Sequence, residues 1–261
     1  MSEKNARKNV NKRSSGKRRT GTVVLVVVGL LTVLAGAVLF SAITQPGDAD
    51  KEHETAAATT FPVAEFENVQ DRVPSMQNGN LKIENVGAYT GIYMEDGTDE
   101  LVSGVMMMVV TNTGKDTIQY AQIEMKVDDE TAQFALSTLP AGASVVLLEQ
   151  NRMAYVSEFD YSTADVSVFN IAYMQEPLSM QEDKLKIQAL DGVINVTNIS
   201  GEDITGDIII YYKNSAVDLF YGGITYRITI SGGLKADEVK QIMASHFNQE
   251  GSTIMFVSVG E

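Results

Sequence analysis

The stretch GVMMMVVTNTGKDTI (Gly104–Ile118) returns 86 residues further on, measured at its Asn, as GVINVTNISGEDI (Gly192–Ile204). Its surroundings return with it. LKIE at Leu81 precedes the first copy and LKIQ at Leu185 the second, while QIEMKVDD (Gln122–Asp129) is matched by DIIIYYKN (Asp207–Asn214), and the loop entered at Leu139 by the loop entered at Leu234. A chain that repeats the order of its apolar runs in this way must build the same supersecondary unit twice. The offset is 104 at the first run and 86 at the Asn turn, so the first unit holds about 18 extra residues, GAYTGIYMEDGTDELVSG, most simply an added hairpin.

The runs themselves read as strands. They are β-branched, Met-rich or alternate with period two, which predicts an antiparallel sheet with one wet face. In AQIEMKV the inward set is Ala121, Ile123, Met125 and Val127. Ile118 and Tyr120 have the opposite parity, so a bulge is expected near Tyr120. At the turn, Asn112 and Asn198 can bond the backbone two residues on. Gly114 and Gly201 are expected to supply positive φ, and Asp116 and Asp203 to satisfy exposed N–H groups. One segment is ambiguous: Ala236–Phe247 places Val239, Ile242, Met243 and His246 at helical spacing, but its repeat partner AGASVVLLEQNR reads as a strand. The repeat favours strand.

The N-terminal part obeys different rules. Residues 1–19 carry eight Lys or Arg against Glu3 alone, a charge of +7, which leaves −21 for the rest because the whole chain is −14. Between head and body, Val23–Ile43 holds 21 residues without a charge. As a helix that run is roughly 31 Å long, enough to cross the ~30 Å hydrocarbon core once. The positive-inside rule then puts the N-terminus in the cytoplasm and the C-terminus outside the cell. A cleaved signal peptide is the competing reading, with a cut after Ala37. Residues 44–79 contain three of the five prolines and are expected to form a flexible tether.

The sequence thus predicts an all-β protein behind one transmembrane helix. The expected organisation is a basic cytoplasmic tail (1–22), a transmembrane helix (23–43), a tether (44–79), and two tandem β-sandwich units at 80–180 and 183–261. VTNTGKDTIQYAQIEMKV with LPAGASVVLLE, and VTNISGEDITGDIIIYYKN with GLKADE, resemble the FxLYD-like and immunoglobulin-like β-sandwich repeats of membrane-anchored bacterial surface proteins. The Phe-x-Leu-Tyr-Asp string itself is absent. The resemblance implies a fold and an extracytoplasmic place in the cell envelope, and it transfers no functional residue.

Little in the chain points to chemistry. Without Cys there are no disulfides, thiolate metal sites or Cys nucleophiles. The two His, His53 and His246, are far apart in sequence, and no G-x-S-x-G elbow accompanies them. Glu95–Glu100 gathers carboxylates around Gly97, and Asp128–Glu130 adds three more, but neither has the spacing that fixes a calcium loop, so solvated acidic turns are expected. The reading therefore assigns no catalytic, cofactor-binding or metal residues. It takes the chain for a non-enzymatic binding or spacer protein held by membrane lipid through residues 23–43, with a protein or cell-envelope partner and no affinity for nucleic acid. The alternatives are a transmembrane sensor or regulator, or an accessory to a cell-envelope hydrolase.

Overall fold

A computed structural model describes residues 73–76, 80–217 and 219–260 of the chain. The expected cytoplasmic tail and membrane segment, and most of the tether, lie outside these residues. Among those described, no helix is long and apolar enough to cross a membrane. Val73 and Met76, at the end of the expected tether, pack against the first hydrophobic core.

The described body is all-β. Its strands are β1 (Leu81–Ile92), β2 (Leu101–Asn112), β3 (Ile118–Val127), β4 (Glu130–Leu139), β5 (Ser144–Leu148), β6 (Val166–Tyr173), β7 (Leu185–Leu190), β8 (Val193–Asn198), β9 (Ile208–Ala216), β10 (Leu219–Ile230), β11 (Val239–Met243) and β12 (Ser252–Val259). In the first half β1-β2-β5 faces β4-β3-β6 across one core, which holds Met106, Met108, Ile123, Met125, Phe134 and Leu147. In the second half β7-β8-β11 faces β10-β9-β12 across another, around Ile194, Val196, Ile210, Tyr212 and Phe247. The strand order is the same in both, so the repeat seen in the sequence is a repeat of topology. Ala236–Phe247 contributes β11, a strand paired with β8 as β5 is paired with β2.

The halves are joined through a sheet. β5 pairs in parallel with the start of β10, Ser144 opposite Leu219 and Val146 opposite Tyr221, and so fuses two three-stranded sheets into the six-stranded order β1-β2-β5-β10-β9-β12. The expectation of one wet face fails here for a visible reason. A third apolar cluster covers the outer side of the fused sheet, with Tyr89, Tyr93 and Met94 packed over Met107, Val146 and Leu148. Both sides of β2 and β5 are therefore buried, and the uninterrupted runs MMM and VVLL follow from that.

Local expectations fare better. Ala121, Ile123, Met125 and Val127 are all buried, and the register between β3 and β6 slips on either side of Tyr120. The extra residues of the first half lengthen β1 and β2 into one long hairpin and supply its tip.

Candidate functional site at the seam between the halves

Each half is pinned by its buried Asn. Asn112 Nδ2 donates to the carbonyls of Asp116 (3.0 Å) and Leu139 (2.9 Å), and its Oδ1 accepts the Gly114 N–H at 3.0 Å. Asn198 Nδ2 donates to Glu202 (2.7 Å), Leu234 (3.1 Å) and Lys235 (3.0 Å), and its Oδ1 accepts the Ser200 N–H at 3.0 Å. One side chain thus closes its own turn and ties β2 to the end of β4, or β8 to the loop after β10. Asp203 reaches across to the N–H of Ala236. Gly201 has the expected positive φ of 78°. Gly114 does not have one, and a Cβ there would run into Asn80 instead, so close approach rather than handedness requires the glycine.

The tip of the β1–β2 hairpin, Tyr93–Glu100, is the place where charged groups meet. Its four carboxylates are expected to be solvated; Asp96, Asp99 and Glu100 are indeed exposed, and the structure corrects the expectation at Glu95 alone. Glu95 turns into the seam, where its carboxylate accepts the Leu148 N–H at 2.9 Å and the Gly223 N–H at 2.9 and 3.0 Å. Asp96 accepts both the N–H and the hydroxyl of Thr98 and, with Glu100, grips Arg152 at 3.0 and 2.7 Å. The Arg152 guanidinium also lies over the Tyr93 ring, 4.5 Å from its centre. Asp99 meets His246 Nδ1 at 3.0 Å, and the His246 ring stacks on Tyr226. The four carboxylates diverge. Among the described residues no three His, Asp or Glu side chains are placed to share a metal ion.

Beneath Glu95 lies a lysine that the sequence reading passed over. Lys213 on β9 is completely buried, and its Nζ donates to the carbonyls of Ser137 (3.1 Å), Gly223 (3.2 Å) and Ile224 (2.7 Å). Three acceptors match the three protons of an ammonium; a neutral amine would leave one carbonyl facing a lone pair. Gly223 stands between the two charges, donating its N–H to Glu95 and accepting from Lys213. Burial pushes the Lys213 amine down from its usual range while Glu95 pulls it back up. Burial also pushes the Glu95 carboxyl up, against the N–H groups of Leu148 and Gly223 and the charge of Lys213.

The double glycine makes the approach possible. A Cβ on Gly222, at φ +79°, would press on Met94, and one on Gly223 would overlap the Ala135 carbonyl. Ser137 Oγ donates or accepts at 2.9 Å from Thr225 Oγ1, adding a further tie from β4 to β10. The legible signals were a charge inside IIIYYKN, which is otherwise apolar apart from its last residue, and a Gly-Gly pair within a strand.

No protein-family model matches the chain, and no curated protein matches it.

Proposed function

We propose that the chain is a single-pass membrane protein whose extracytoplasmic body, two sandwich repeats of the FxLYD-like or immunoglobulin-like kind, binds or spaces a partner in the cell envelope without catalysis. The observation that supports the non-catalytic reading is the use made of the reactive side chains. Glu95, Lys213, Asp99 and His246 are each taken up in a bond that fixes one half against the other, and Arg152 is held by Asp96 and Glu100 within the first half. A general base needs a free lone pair facing substrate, whereas these groups face the protein's own backbone or each other. Anchoring is supported by the uncharged run Val23–Ile43 behind a basic head and ahead of an acidic body.

The test is protease added to intact protoplasts that express the full chain. Removal of the body with a small membrane-bound stub left behind is the expected result. A soluble mature protein beginning at Val38 would overturn the anchor, and hydrolytic turnover that disappears in His246→Ala would overturn the non-catalytic reading.

A further inference from the structure

The first repeat shows how the open edge of its fifth strand is used, and the second repeat leaves the corresponding edge bare. In β5 the residues whose backbone groups bond β2 are flanked by Ala143 and Glu149, which leaves Ser144, Val146 and Leu148 turned to the open side. That side is filled: β10 runs along Ser144–Val146, and Glu95 takes the Leu148 N–H. In β11 the same alternation holds, with Glu238 and Ala244 bonded toward β8. The groups turned outward are those of Val239, Gln241 and Met243, the register counterparts of Ser144, Val146 and Leu148. Among the described residues β11 pairs with β8 alone. Val239 is 63% and Met243 75% exposed.

We infer that β11 is a self-association site, at which a second copy of the chain adds its own β11 antiparallel across the open edge, centred on Gln241. Three observations select this occupant. The outward set is symmetric about Gln241, so a two-fold axis there places Val239 opposite Met243 of the second copy and Gln241 opposite itself, with every outward N–H and C=O paired. The exposed apolar row Leu190–Val193–Met243 would then abut Val239 of the second copy, and the amide row Gln188–Asn195–Gln241 would continue across the axis. The head-to-tail alternative, in which β4 of a second copy does what β10 does, is blocked. On β4 the N–H and carbonyl of Gln133 are already bonded to Glu149 and Gln150, and the Ser137 carbonyl to Lys213 and Thr225.

Lys240 shapes the contact. It would lie diagonally across from its own copy, so pairing should strengthen as salt screens the repulsion.

The chain has no Cys, which makes the register directly testable in the full chain. Opposed residues of a hydrogen-bonded antiparallel pair have Cα atoms about 5.5 Å apart, within the disulfide range of about 4.4–6.8 Å. Gln241→Cys should therefore oxidise to a covalent dimer, and more completely at high salt. Gln188→Cys, exposed in the same row but on β7 at the opposite edge of the sheet, should stay monomeric. Adding Met243→Asp to Gln241→Cys should abolish the cross-link with the thermal melt unchanged, because that side chain is exposed. Failure of Gln241→Cys to cross-link, with its thiol open to maleimide or shielded from it, overturns the inference. So does equal cross-linking at position 188, or a cross-link that survives Met243→Asp.

Discussion

Between β1 and β2 the first half places eight residues, Tyr93–Glu100, on strands of twelve; between β7 and β8 the second half places two, Asp191 and Gly192, on strands of six. The covered sheet face of the first half and the open one of the second follow from this. Where the long hairpin folds back, the outward row Asn85–Val109–Val146 and the next, Gly87–Met107–Leu148, lie on a covered face. Where it is missing, the corresponding rows read Gln188–Asn195–Gln241 and Leu190–Val193–Met243. Val109 and Val146 of the first row are replaced by the amides Asn195 and Gln241, as a solvated sheet face requires. The insertion that breaks the repeat also helps to join the two copies, because its tip carries Glu95 to Gly223 and Asp99 to His246.

The sharpest way to break this arrangement is to remove Glu95. Glu95→Ala leaves the Leu148 and Gly223 N–H groups without their acceptor and the buried Lys213 ammonium without its counter-charge. A cost of about 3–5 kcal/mol is expected for orphaning one member of such a pair. Denaturant unfolding should then separate into two transitions, since the halves retain their own cores but lose the joint. A single transition shifted by less than about 1 kcal/mol would mean that the β5–β10 pairing alone holds the seam.

The Asn turns test the opposite side of the comparison, what the halves have in common. Asn112→Ala and Asn198→Ala should each cost about 2–3 kcal/mol, because each strands at least two carbonyls that a buried amide satisfied. The two losses should agree within about 1 kcal/mol, as measured by urea midpoints at constant slope. A much smaller loss at Asn112 would show that the long hairpin makes the first turn redundant.

How far the sequence carried this reading depends on the range of the interaction. Turn chemistry at Asn112 and Asn198, the inward set of β3 and the strand nature of β11 were legible, because each is set by a few consecutive residues or by the repeat. The seam was not. Glu95 and Gly223 are 128 residues apart, and Ser137 and Lys213 are 76 apart, so neither spacing nor period connects them. Within EDGTDE the inward turn of Glu95 is not legible because its partners Leu148 and Gly223 lie 53 and 128 residues away. The uninterrupted runs MMM and VVLL did carry the information that both faces of β2 and β5 are covered, but not by what.

The smallest expected effect is a pH dependence that belongs to the first half's hairpin alone. Burial raises the Glu95 carboxyl above its ordinary range, so the folded state holds that proton more tightly than the unfolded chain does. Stability from this group is then full below the unfolded carboxyl value of about 4.3, and it is lost as pH rises through the raised folded value. The slope cannot exceed one proton, about 1.4 kcal/mol per pH unit, and the opposing pull of the Leu148 and Gly223 N–H groups and of Lys213 narrows the pH window over which it acts. Many other groups titrate in the same range, so the quantity to measure is the difference in unfolding free energy between the native chain and Glu95→Gln as pH increases from 4 to 8. That difference should move against the native chain with rising pH. If it moves the other way, the N–H donors and the lysine outweigh burial and hold the Glu95 carboxyl below its ordinary range.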